Sequence, residues 1–263
     1  MTNARRFLSR LPLALLLGAN LLTAAARADE KPALSVKNKI IEESVTIDGK
    51  LKTYPGLYDN LIAEGRRALQ KWRAEAVNAG KETPDLFDDG RRYSFESAYT
   101  LRSAIGRYVS VVRADYLDGL GAHPNHKTDT ILWDAKVKKR ISIRPFFKET
   151  ADGGPTMQAL ADAVRADLVA EKEARGVEDA EHDPGLDSVK PKLLSIGAIA
   201  LAPSTEAGKS AGLIAYFSPY AVGPYVEGDY TAFVPWTAFK AHLSPAGAAL
   251  FGGERPEGDA THD

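Results

Sequence analysis

The amino-acid sequence predicts an α+β fold, a mostly antiparallel sheet with two main helices packed on it, and three observations predict it. Apolar residues recur three, four and seven apart at Tyr58, Leu61, Ile62, Leu69 and Trp72, and one-sidedly again at Met157, Leu160, Ala161, Val164 and Leu168. Each set marks one face of a helix. Residues 92–117 are dominated by aromatic and β-branched side chains, with Gly106 placed for a reversal, which favours an antiparallel hairpin. Strands group with strands, and the two helices interrupt them without a regular strand–helix alternation.

The first 28 residues contain Arg5, Arg6 and Arg10, an apolar run from Leu11 to Ala26, then Ala26-Arg27-Ala28, and no acidic residue. A basic start, an apolar middle and a small-residue cleavage site, in that order, read as a cleavable secretory signal. Pro12, Gly18 and Asn20 interrupt the run, which falls short of the ~20 apolar residues a membrane span needs. The expected location is periplasmic or secreted, with no transmembrane helix after cleavage at Ala28. Arg5-Arg6-Phe7-Leu8 resembles a twin-arginine signal, but Phe7 sits one place early, which favours general secretion. Loss of residues 1–28 removes four arginines and no carboxylate, leaving thirty Lys and Arg against thirty-five Asp and Glu, a net charge of −5. A mildly acidic protein is a poor match for nucleic acid or an anionic membrane surface and a better one for a basic protein partner. The absence of cysteine excludes a thiol nucleophile and Cys-ligated zinc.

In chain order, the loose alternation of Val36, Ile40, Val45 and Ile47 ending at Asp48-Gly49 predicts a first strand or hairpin. Tyr54-Pro55-Gly56 closes this segment, and the first helix follows from Leu57 and should end near Gly80. Tyr93 to Tyr116 is the hairpin, Asp118 to Asn125 a turn, and Thr130 to Asp134 and Arg140 to Ile143 two short strands. Phe146-Phe147 leads into the second helix. Glu171 to Lys192 is acid-rich, punctuated by Pro184-Gly185 and Pro191, and lacks the alternating ligands and central glycine of a calcium loop, so a solvated surface loop is expected. Strands follow at Leu193 to Leu201, Gly212 to Ser218 and Tyr230 to Val234, then a helical stretch around Trp236 to Leu250. The expected domain covers residues 29–251, divided into 36–115 and 116–251. Residues 252–263, rich in Gly, Pro, Glu and Asp, should be a disordered tail.

Motifs with a catalytic look lack their context. Gly208-Lys209-Ser210-Ala211-Gly212 fits the nucleophile-elbow pattern, but that pattern needs a helix straight after the serine, and here a strand follows. The overlapping Ala207-Gly208-Lys209-Ser210 is no phosphate loop, because Pro203 stands at the first glycine's place. His123 and His126, with Asp129 nearby, are three apart like metal ligands, but Pro124 puts them on a turn, and exposed or hydrogen-bonding histidines are the plainer reading. No catalytic residue, metal or cofactor is assigned.

Two segments carry a resemblance. The first joins Tyr108-Val109-Ser110-Val111-Val112, Gly119-Leu120-Gly121-Ala122-His123-Pro124, Ile131-Leu132-Trp133-Asp134 and Ile141-Ser142-Ile143-Arg144-Pro145-Phe146-Phe147. The second runs from Ala215 to Gly228 and on through Phe233-Val234-Pro235-Trp236. In order and separation they resemble the RsiV-like domain family, the extracellular part of the RsiV anti-sigma factor, found also in PdaC-type cell-wall deacetylases and a secreted mycobacterial antigen. The chain departs from the family's Gly-Gly-Ala-His at Leu120-Gly121-Ala122-His123, and it carries neither a sigma-binding segment nor the deacetylase domain. The resemblance implies a binding module that takes a protein or glycan of the cell envelope, a lysozyme-like protein being the specific expectation. The alternative is a secreted hydrolase, esterase or cell-wall deacylating, using Ser210.

The candidate ligand surface joins two Gly- and Pro-rich stretches about a hundred residues apart. Loops positioned by a sheet are where binding groups usually sit, and Pro219, Pro224 and Pro235 should stiffen the second stretch so that its tyrosines lose little entropy on binding. The site residues expected on one side of the sheet are His123, Asn125, Tyr220 and Tyr225.

Overall fold

The computed structural model describes residues 31–259, so the expected export signal lies outside the described residues. Leu34–Lys37 (β1) and Ile41–Ile47 (β2) form the first hairpin, closed by Asn38, whose side chain accepts from the Ile40 and Ile41 N–H groups. Pro55–Glu82 (α1) then carries the chain back, so that β2 pairs in parallel with Tyr93–Ile105 (β3). A parallel pair needs a crossover of this kind, and α1 supplies it. Leu57, Leu61, Leu69 and Ala76 are the buried stripe of α1. Gly65 continues that stripe where an added Cβ would strike the Val45 side chain, so the missing side chain lets helix and sheet approach closely.

Tyr108–Asp118 (β4) returns from β3 through Gly106 at φ +57°, and Asn125–Asp134 (β5) and Lys139–Ile141 (β6) complete a six-stranded sheet in chain order. Strand alternation sends Phe95, Tyr99, Val109, Val111, Ile131 and Trp133 into the core under α1. A β-bulge between Leu101 and Ser103 reverses the phase of β3, so that Ser103 and Ile105 point to the opposite face.

That opposite face carries the second half of the molecule. Pro155–Ala174 (α2) packs on a three-stranded antiparallel sheet of Ala198–Leu201 (β7), Gly212–Phe217 (β8) and Tyr230–Pro235 (β9). Trp236–Phe239 (α3) and Pro245–Leu250 (α4) close the chain. β7 is an edge strand, and side-chain hydroxyls of the first sheet serve its free edge. Thr130 and Ser103 donate to the Ile199 and Leu201 carbonyls at 2.8 and 2.7 Å, and the Leu201 N–H donates to Ser110 at 3.1 Å. Otherwise those buried backbone groups would cost a desolvation penalty of roughly 1–3 kcal/mol each.

The α+β class is as expected, but the single sheet is two, each with its own main helix. The expected division at 115/116 falls inside β4, and the two cores lie on opposite faces of the first sheet, with Val109, Val111, Ile131 and Trp133 in one and Ile105 and Leu132 in the other. The acid-rich segment is not wholly solvated, since Ala180, Leu186 and Val189 are buried in it. Residues 252–259 do not form a free tail. Arg102, at the bulge, grips Asp259 through two hydrogen bonds of 2.8 and 2.6 Å, and Trp236 donates to the Gly253 carbonyl at 3.0 Å.

Candidate ligand-binding site

The β4–β5 turn and the segment after β8 meet at one end of the first sheet. Asp118 shapes the turn by accepting the Leu120 N–H, and Leu120 takes a positive φ. His123 Nδ1 lies 2.9 Å from the Pro124 carbonyl, which only accepts, so Nδ1 carries the proton and Nε2 is left as an acceptor. The Tyr220 hydroxyl donates to that Nε2 at 3.3 Å, and Tyr225 donates to the Pro124 carbonyl at 2.7 Å. The His123 ring stacks on Tyr225 at 4.2 Å between centroids, with Tyr220 5.4 Å from Tyr225.

Ser218 to Ala221 form a turn closed by the Ala221 N–H on the Ser218 carbonyl, with Pro219 second and Tyr220 third at φ +70°. This is the signature of a type II turn, whose third position favours glycine. A tyrosine there costs on the order of 1–2 kcal/mol, yet its side chain is 63% exposed and gains no core packing in return. The Ser218 hydroxyl also accepts the Thr128 N–H at 2.8 Å, which ties this turn to β5.

Sequence reasoning placed His123, Tyr220 and Tyr225 together, and the structure does bring them into contact. Asn125 is a correction. It pairs with Leu117 in the β4–β5 register, and Leu117 packs against the α1 core, so alternation turns Asn125 to the face away from its neighbour His126. His126, opposite Tyr116, takes its place: its ring meets Tyr116 edge-on at 5.2 Å and lies 6.4 Å from Tyr225. Burial and then the nearby Asp118 and Glu96 carboxylates hold the Tyr116 hydroxyl above its ordinary pKa, so the patch is acidic at its edge.

A buried ion cluster lies two residues beyond Tyr225. Lys172, in the last turns of α2, is fully buried, with Nζ 2.8 Å from Asp183 and 2.9 Å from Glu227. The Tyr230 hydroxyl donates to the same Glu227 oxygen at 2.7 Å, and Arg175 donates to the Glu227 carbonyl at 2.8 Å. Burial works against the ammonium, but the hydrogen bonds to Asp183 and Glu227 outweigh it and raise the Lys172 pKa. The Lys172 hydrogen bond holds Asp183 below the usual carboxylate range. Gly223 lies so near that an added Cβ would collide with the Glu227 carboxylate. The cluster therefore fastens the segment that follows Tyr225 to α2 and to the acid-rich segment at once. Nothing in the sequence separates Lys172 from an ordinary cation in a helix's last turn.

Ser210 is buried, its hydroxyl lying 2.9 Å from the Ala202 carbonyl and 2.7 Å from that of Gly212, with no described histidine among its partners. A nucleophile needs access and a base, and this position supplies neither. Among the described residues no three His, Cys, Asp or Glu side chains are grouped to hold a metal, and no helix is long and apolar enough to cross a membrane.

Fold and site together define an α+β protein that presents a fixed aromatic surface from two loops. Residues 146–237, which hold α2, the second sheet and the Tyr220–Tyr225 segment, match the family described as "Protein of unknown function (DUF3298)", so the chain carries a DUF3298 family domain there. A DUF3298 family member from Bacteroides fragilis superimposes with a TM-score of 0.52 at 15% identity, over 82% of this chain and 95% of its own, a likeness of fold. A DUF3298 family protein from Pseudomonas aeruginosa aligns at a TM-score of 0.49 and 16% identity, over 86% of this chain and 94% of its own. Among curated proteins no relative matches.

Proposed function

We propose that this chain is an exported, non-enzymatic binding module of the cell envelope that takes a lysozyme-like protein on the surface formed by His123, Tyr220 and Tyr225. The observation that carries the reading is Tyr220: an exposed aromatic side chain held in a left-handed backbone, where glycine would be more stable. Strain of this kind, kept at a surface, is a mark of a functional position. Tyrosines locked by their neighbours offer contact area at low entropic cost, and exposed Val226 beside them adds an apolar anchor. The carboxylates at the edge of the patch and the net charge of −5 without residues 1–28 suit a basic partner. The resemblance to the RsiV-like domain supports the choice of lysozyme, and the burial of Ser210 weighs against hydrolysis. In calorimetry, lysozyme should bind the chain beginning at Asp29 and bind less tightly as salt rises. Absence of heat at roughly tens of micromolar protein would sink the lysozyme assignment.

A further inference from the structure

The net negative charge conceals an uneven distribution. At the end of the first sheet opposite the aromatic site, the β5–β6 turn runs Lys136, Val137, Lys138 and Lys139, all exposed. Val137 stands 51% exposed at its tip, and Lys138 takes a positive φ that turns the chain there. Asp134 accepts the backbone N–H groups of Lys136 and Val137 and pairs with Arg107, so it fixes the turn and is itself neutralised.

The start of α1 joins the same end, because an added Cβ on Gly56 would meet Trp133 at 3.7 Å and the Lys138 stem at 4.0 Å. The 3-10 turn just before it exposes Lys50 and Lys52. None of the five lysines has an ion-pair partner among the described residues. The first turn of α1 carries no acidic residue, so the positive end of its dipole adds to the field. Asp48 and Asp59 are the nearby carboxylates, and Asp48 already accepts the Lys50 and Leu101 N–H groups.

We propose that this basic end is a docking surface for a lipid bilayer containing anionic lipid, with Val137 seated among the headgroups and the five lysines around it on lipid phosphates. An exposed aliphatic side chain at the tip of a lysine turn suits a bilayer, whose interface offers both negative charge and an apolar layer below it. β5 runs from the aromatic site to this turn, and ten strand residues span roughly 30 Å. Docking by the basic end therefore holds the aromatic site away from the membrane.

The described residues, 31–259, belong to one compact unit, so the chain beginning at Asp29, free of the apolar run of residues 11–26, is the protein to test. It should sediment with vesicles of phosphatidylglycerol and phosphatidylethanolamine, stay in solution with pure phosphatidylcholine, and be released by salt. Each lysine at the surface is worth about fivefold in affinity, so neutralising three of them in K136Q/K138Q/K139Q should weaken binding on the order of a hundredfold. Val137→Ser should weaken binding severalfold, with thermal melting confirming that both variants are folded. Equal sedimentation with both vesicle types, undiminished binding of the triple variant, or capture by soluble polyphosphate without any binding to vesicles would overturn the proposal. Binding of Val137→Ser at the wild-type level would overturn the seating of the tip in the headgroups.

Discussion

Two buried charges, one in each half of the molecule, are treated in opposite ways. Lys172 is surrounded by acceptors from two separate segments, Asp183 and Glu227, with the Tyr230 ring 4.5 Å below its ammonium. Glu43, on β2 under α1, is as deeply buried but has one oxygen 3.3 Å from Arg73 and the other without a partner among the described residues. Burial raises the Glu43 pKa, and the Arg73 pairing only partly pulls it back. A buried charge with a complete set of partners joins distant parts of the chain; one with half a set weakens the place it occupies.

Removing the better-satisfied charge should have the largest effect. Lys172→Met leaves Asp183 and Glu227 facing each other without their cation, and a loss of about 3–5 kcal/mol is expected, read by urea denaturation. The wild type should show the same link in its pH profile. Asp183's lowered pKa contributes stability above its ordinary 3.8, and that stability is lost as pH falls through the lower value. A loss under ~1 kcal/mol in Lys172→Met, the size of an exposed pair, would break the contrast.

Glu43→Met should act in the other direction. The new side chain lies among Ile41, Trp72, Phe95 and Leu117, and the Arg73 side chain is 40% exposed, although its Nε is buried without a partner among the described residues. Stability at neutral pH should rise by ~1 kcal/mol, since apolar replacement of an ill-paired buried ion is commonly favourable. A carboxyl whose pKa is raised by folding holds its proton better in the folded state. Its contribution is therefore greatest below the ordinary 4.5 and declines as pH rises through the raised value. Thermal melts across that range should show the decline in the wild type and its loss in the variant; destabilisation by the substitution would show that the Arg73 pair is worth keeping.

The smallest effect concerns the backbone strain at Tyr220. Tyr220→Gly should stabilise the fold by up to ~1 kcal/mol, because glycine adopts the positive φ freely, less its greater entropy when unfolded. The same change should weaken ligand binding. A variant less stable than the wild type would mean that the Tyr220 side chain serves packing.

Much of this was legible in the sequence where the signal is local. The α1 stripe, the β3–β4 hairpin around Gly106 and the reversal after Asp118 follow from periodicity and turn residues within a few positions. The parallel β2–β3 pairing was not legible, because it depends on where a 28-residue helix returns the chain. Asn125 was assigned to the wrong face because the β4–β5 register, which decides it, joins residues that no local pattern aligns. His126, Tyr116 and Lys172 were missed for the same reason. His126 and Lys172 gain their roles from Tyr225 and Glu227, far along the chain, and the tail is ordered by Arg102, more than a hundred residues away.

His123, Tyr220 and Tyr225 are proposed to form one ligand surface. Calorimetric titration of lysozyme into the wild type and into Tyr220→Ala/Tyr225→Ala tests it most directly, with thermal melting to show that both are folded. Measurable heat is expected for the wild type, with a loss of at least ~2 kcal/mol of binding free energy in the double variant, as for aromatic anchors at an interface. Equal affinities for the two proteins would contradict it.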